Sequence, residues 1–253
     1  MQQHEPRIDG GGTHRPWPRP AAPPVMRMTW SELLFAHWEC SPRLLASQLP
    51  PGLELDTCDG RAWVGVVPFR MRGVRLEGWP ALGWAEDFPE LNLRTYVRCG
   101  GRAGVWFFSL DAASPLAVAG ARAWFHLPYF IARMSCTTLT DGSTRYASER
   151  RHSGAPSAEL VARYAPTSAP RRAQRGSLEH FLVERYCLYS RAPNGGLLCG
   201  EIDHAPWPIQ DARVAFERNS LGRAAGFELA PEPALAHYVR ALDVTAWAPA
   251  PVT

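Results

Sequence analysis

The sequence predicts a mostly β (α+β) protein whose antiparallel strands close into a barrel or stack as a sandwich, with a few short peripheral helices. Three observations carry that reading. Apolar runs of strand length recur about ten times along the 253 residues. Turns separate them at Asp59-Gly60, Gly100-Gly101, Asp141-Gly142 and Asn194-Gly195-Gly196. Helix starts are few, marked by Ser41-Pro42, Ser114-Pro115 and Ser177.

Residues 1–27 are rich in Pro, Gly, Arg and His without periodicity, so a disordered tail is expected there, with a single domain over 28–250. Leu33–Trp38 is a short apolar run that fits helix or strand. Ser41-Pro42 opens a short helix that ends at Pro50-Pro51-Gly52. Leu53–Thr57 and Arg61–Phe69 read as a hairpin, followed by a Trp-, Gly- and Pro-rich loop over 72–89. Glu90–Arg98 and Val105–Asp111 read as a second hairpin, and Ser114-Pro115 caps a helix to about Phe125. Tyr129–Leu139 and Arg145–Glu149 make a third hairpin, and Glu159–Tyr164 is a strand. Ser177 caps a helix through Arg185, and Cys187–Ser190 with Leu197–Asp203 forms a fourth hairpin. Arg213–Arg218, a short helix near 219–225 and the strand Tyr238–Trp247 complete the chain.

Composition excludes several kinds of chemistry. All 27 Lys+Arg residues are arginine. A Schiff-base enzyme needs an amine that can lose its proton, and a guanidinium does not. A net charge of +3 gives no case for nucleic-acid binding. No apolar stretch is long enough for a membrane span or resembles a signal peptide. Six cysteines without a Cys-x-x-Cys pair read as free thiols in a reducing cytoplasm. No metal is expected: Glu201 and Asp203 alternate away from His204, and no His-x-x-x-His occurs. No cofactor is expected either, since no Gly-rich loop joins a strand to a helix and no Gly-x-Ser-x-Gly is present.

The segment with most chemical content is Glu90-Leu91-Asn92-Leu93-Arg94-Thr95-Tyr96-Val97. Strand alternation puts Leu91, Leu93, Thr95 and Val97 on one face and Glu90, Asn92, Arg94 and Tyr96 on the other, spaced about 7 Å apart. An acid, an amide, a guanidinium and a phenol in a row can hold a small anion or carbonyl compound. They can equally form an ordinary solvent-facing side. The aromatic partner strand, with Trp106, Phe107 and Phe108, argues that both faces are covered. A second cluster pairs His180 with Glu184, four apart on a helix, as a surface ion pair or as an acid–base group at a cavity mouth.

Phe88–Val97, Gly104–Asp111, Ala62–Phe69, Phe125–Tyr129 and Glu184-Arg185-Tyr186 together resemble the YqjF-like family of uncharacterised bacterial proteins, a match running from Trp30 to Trp247. That family is similar in fold to acetoacetate decarboxylase, which implies a closed antiparallel barrel around a polar cavity. In the decarboxylase an Arg-containing helix end precedes Pro-Lys-Lys, whose first lysine forms the Schiff base. Here Arg122 and Pro128 fit that pattern, and Tyr129-Phe130 replaces the lysines. The resemblance also matches Glu90 to a cavity glutamate, and it brings in His126 and Arg185 from the matched segments. It favours a cavity-lining role for the row, whose chemistry points to a small carboxylate or carbonyl ligand with Asn92, Arg94, Tyr96, Arg122, His126 and Arg185 as binding candidates. Glu90, Tyr129 and His180 are the acid–base candidates. The alternatives are a non-catalytic protein in which Glu90 and Arg94 form an internal salt bridge, and a partner-binding module using Trp79 and Trp84. Oligomeric state is left open.

Overall fold

A computed structural model describes residues 14–78 and 87–252. The strands are β1 (Met26–Cys40), β2 (Glu54–Leu55), β3 (Ala62–Leu76), β4 (Phe88–Cys99), β5 (Arg102–Ala112), β6 (Tyr129–Thr138) and β7 (Thr144–Arg150). Then come β8 (Glu159–Pro166), β9 (Cys187–Arg191), β10 (Leu197–His204), β11 (Gln210–Asn219), β12 (Leu235–Ala246) and β13 (Ala250–Pro251). Short helices α1 (Pro42–Ala46), α2 (Pro115–Gly120), α3 (Leu178–Val183) and α4 (Leu221–Ala224) connect them, and a π-helical turn, Ala121–Phe125, extends α2. The mostly β class is thus as predicted. None of the helices among the described residues is long and apolar enough to cross a membrane.

The ambiguous run Leu33–Trp38 is strand. β1 pairs along both edges, with β12 and with β3, and its middle is buried on both faces. A strand covered on both sides reads as a continuous apolar run because neither face meets water. Glu32, at φ +48, lies where the β1–β3 register shifts between Ser31 and Ala36, so a bulge re-aims the strand there. The Ser-Pro helix starts hold: Ser41 and Ser114 accept from the backbone N–H three residues on, with Pro at the first helical position.

Three expectations need correction. Leu53–Thr57 does not form a hairpin with β3: β2 pairs with β4, and only a Cys58–Arg61 bridge is left beside the turn. Asp56 causes this, because its backbone N–H donates to Tyr96 and its carboxylate takes Arg98 and Arg185, both at 2.7 Å. The strands are also not all antiparallel, since β5 runs parallel to β6 and to β9. The helical crossover through α2 returns the chain in the same direction, which a tight turn cannot do. Finally, residues 14–25, expected to belong to a disordered tail, pack against the sheet. Arg15 is buried, donates to Glu201 at 2.6 Å and to Asp203 at 3.3 Å, and Trp247 Nε1 donates to the Ala22 carbonyl. Carboxylates on β10, distant in sequence, supply its partners.

β4 sits between β3 and β5, with Glu90 opposite Phe69 and Ala112, and Asn92 opposite Val67 and Leu110. Leu91 and Leu93 join an apolar cluster with Leu34, Val64, Tyr146 and Tyr164. The opposite face meets a second cluster containing Phe35, Val67, Phe69, Phe107 and Trp207. Close approach of β5 to β9 depends on Gly104. A Cβ there would lie 2.7 Å from Cys187 Sγ and 2.8 Å from its carbonyl. Gly104→Ala is therefore expected to cost about 1–3 kcal/mol by overpacking. Gly120→Ala, where a Cβ meets nothing within 4 Å, should be neutral or mildly stabilising in its helix. Urea denaturation of the pair checks both.

Candidate functional site

The second face of β4 opens on a cavity of about 790 Å³. Glu90, Asn92 and Arg94 line it from β4, Phe35 from β1, Val67 and Phe69 from β3, Leu110 from β5 and Tyr129 from β6. The alternation read in the sequence places these polar groups on one side because all three stand on a single strand at even spacing.

Glu90 is 3% exposed and accepts a hydrogen bond from the Tyr129 hydroxyl at 2.8 Å. Burial pushes its carboxyl from 4.5 up to about 8, outweighing the opposing pull of that hydrogen bond. The same burial, with Glu90 beside it, holds the Tyr129 phenol well above its usual value. At neutral pH the pair therefore carries two protons and no charge. A carboxyl group titrating near working pH is suited to moving a proton.

Arg94 differs from the other buried arginines in having no carboxylate. It is 7% exposed, yet no carboxylate among the described residues lies within 4.0 Å. Its Nη2 donates to the Leu182 carbonyl at 3.3 Å, its Nε has no partner, and its guanidinium carbon lies 5.2 Å from the Phe35 ring centre. Asn92 Oδ1 beside it is also unpartnered. A buried charge without a counter-ion is costly, and this one faces open volume.

Tyr96 is fully buried but does not line the cavity; its hydroxyl lies 2.7 Å from His37 Nε2. Burial and the Arg94 charge hold His37 well below its ordinary value, so it is a neutral imidazole. His37 sits in the ambiguous β1 run, and its pairing with Tyr96 is set by register across β3. Gly65 makes room for them: a Cβ there would come 3.3 Å from His37 and 3.4 Å from the Tyr96 hydroxyl. Neither His37 nor Gly65 carries a local sequence signal for this role.

Other candidates are placed elsewhere. Arg185 reaches the cavity, but Asp56 already holds it at 2.7 Å and its Nε donates to the Phe181 carbonyl. Arg122 is exposed and caps the Tyr129 carbonyl at 2.7 Å. His126, at φ +52, ends the π-helical turn and does not line the cavity. His180 is half-buried outside the cavity, and burial lowers its pKa. Its expected ion pair with Glu184 does not form, because Glu184 accepts from the Tyr186 hydroxyl and the Trp207 N–H. Glu90 and Arg94 likewise make no salt bridge. Trp79 and Trp84 lie outside the described residues. Glu179, Asp211 and His237 bring possible metal-ligand atoms within 4.8 Å of one another. Arg171 already donates to both carboxylates at 2.7 Å, which offsets one of their two charges and occupies the atoms a metal would take.

Residues 27–243 match the family described as an uncharacterized conserved protein, DUF2071. The chain belongs to this family. It is 42% identical over 223 residues to the uncharacterized protein YqjF of Bacillus subtilis (strain 168), covering 88% of this chain and 90% of that one. Its fold is shared with an acetoacetate decarboxylase from Legionella pneumophila at TM-score 0.62 and 16% identity, covering 95% and 93% of the two chains. The enduracididine biosynthesis enzyme MppR, solved with pyruvate, aligns at TM-score 0.63 and 15% identity over 92% and 91%. An acetoacetate decarboxylase-like enzyme from Sphingomonas wittichii RW1 aligns at 0.60 and 16% over 96% and 99%. At these identities the likeness is one of fold, and the expected acetoacetate-decarboxylase-like architecture is present.

Proposed function

We propose that this protein binds a small carboxylate or carbonyl compound in the cavity, with Arg94 taking the carboxylate. The observation that carries the proposal is the buried guanidinium of Arg94, which has no carboxylate partner among the described residues and borders open volume. A ligand carboxylate would supply the missing charge and satisfy the Nε donor. Asn92 would orient the rest of the molecule through its amide. The strand pairings β10–β9–β5–β4–β3–β1–β12–β10 support a closed barrel wall around this volume. Pyruvate bound to MppR is a small keto acid held by a protein of this fold.

The chemistry proposed for the site is proton transfer without a covalent imine. With no lysine anywhere in the chain, side-chain Schiff-base formation has no nucleophile. Glu90, protonated near neutral pH, is the proton donor to a ligand oxygen, and Tyr129 holds it in place. Arg94→Gln should weaken binding of pyruvate, acetoacetate and longer carboxylates roughly ten- to a hundredfold, the value of a hydrogen bond to a charged group. Isothermal titration checks this. Equal affinity in the two proteins would sink the reading.

A further inference from the structure

We infer that the ligand is an amphipathic monocarboxylate, its head at Arg94 and an apolar tail running toward Leu116 and Trp124. This rests on the reading of Arg94 as the carboxylate partner and adds what the rest of the molecule must be. Four observations support it.

The first is size. At about 30 Å³ for each water-sized group, the cavity of about 790 Å³ holds roughly 25 of them, against about seven non-hydrogen atoms in a four-carbon keto acid. A short acid would leave most of the apolar wall facing water.

The second is the distribution of polarity. Glu90, Asn92 and Arg94 all stand on β4, whereas Met28, Leu33 and Phe107 line other sides. A sugar or nucleotide, polar around its whole outline, would leave buried groups unpaired against those walls. A molecule with one polar end and an apolar remainder leaves fewer, since Glu90 is already joined to the Tyr129 hydroxyl.

Third, the free charge is single. Arg185 is neutralised by Asp56, and at the rim Arg27 is taken by Glu77 at 2.7 Å. Arg75, also at the rim, is exposed to solvent. One buried unpaired guanidinium matches one carboxylate.

The fourth is the lip. Among the described residues only Leu44, Leu116 and Trp124 are large hydrophobics that stay exposed, and two of the three, at 50% and 45%, line this cavity. They stand on α2 and the π-helical turn. α2 begins just beyond Ala112, the partner of Glu90, so the lip lies past the Glu90 end of β4. Arg94 lies mid-strand, four residues further from the lip than Glu90, against Leu182 of α3. Phe88 to Arg94 spans six residues, about 20 Å of strand, which gives the tail room to run out along the Met28, Leu33 and Phe107 walls beside the β4 row.

The experiment titrates wild-type protein with butanoate, hexanoate, octanoate and decanoate below their micelle concentrations, and with decanamide as the uncharged match. Affinity should rise about fourfold per methylene up to decanoate, as burial of each CH₂ requires. One acid should bind per chain, and decanamide should bind at least tenfold more weakly than decanoate. If butanoate binds as tightly as decanoate, the tail inference fails while the Arg94 reading stands. If decanamide equals decanoate, the Arg94 reading itself fails. A narrowed cavity gives a second check. Val67→Phe should lose decanoate affinity by tenfold or more and keep hexanoate, and unchanged chain-length dependence in the folded variant would overturn the proposed path.

Discussion

Glu90→Gln is expected to stabilise the protein most strongly above pH 8 and hardly at all near pH 4. Burial holds the folded carboxyl at about 8 against an ordinary 4.5. Below pH 4.5 it is protonated in both folded and unfolded chains, so it contributes no pH dependence. As pH rises toward 8 the unfolded chain releases its proton first, and stability falls. At about 1.4 kcal/mol per pH unit the loss reaches roughly 5 kcal/mol. Gln keeps an oxygen for the Tyr129 hydroxyl, 2.8 Å away in the wild type, and cannot ionise. Urea denaturation of both proteins from pH 4 to 9 measures the gap. Parallel pH profiles would show that Glu90 is not held protonated. The same protonated carboxyl is the group given the acid–base role in the proposed function, so this profile also measures the proton that role requires.

Asp111→Ala is expected to destabilise the fold by about 3–5 kcal/mol, because it strands a buried guanidinium. Arg150 donates to both Asp111 carboxylate oxygens, at 2.7 and 3.1 Å, and their side chains are 3% and 1% exposed. The Phe130 ring lies 4.2 Å from the guanidinium carbon. This ion pair ties β5 to β7 across the first residues of β6, the strand that delivers Tyr129 to the cavity. Asp111→Leu with Arg150→Met should recover most of the loss, since two apolar groups leave no charge unpaired. A fall in the urea midpoint at unchanged slope, reversed in the double variant, is the expected pattern. Additive losses would refute it.

The contrast between Asp111 and Arg94 shows how far the sequence could be read. Both are charged residues inside strand-like segments, and nothing nearby in the chain separates them. Asp111 finds Arg150 39 positions away, whereas Arg94 finds no carboxylate among the described residues. Arg185 and Arg122 pose the same problem: one is held by Asp56, 129 positions distant, and the other caps a backbone carbonyl in solvent. Pairing is a long-range property, so ranking the arginines as ligand contacts needed the coordinates. His37 was illegible for the same reason, its partner Tyr96 lying two strands away.

The chain by itself determined three of the four hairpins with glycine turns, the Ser-Pro helix starts, the alternation that gathers Glu90, Asn92 and Arg94 on one face, and the exclusion of lysine chemistry. Each depends on neighbours within a few residues or on composition alone. Only the tertiary structure decided that this face borders a cavity, that β5 lies parallel to β6 and β9, that residues from His14 pack on β10, and that Arg94, alone among the buried arginines, meets no carboxylate of the described residues. Those outcomes depend on which strands meet, and the energies that select them come from burial and charge pairing between residues far apart in the chain.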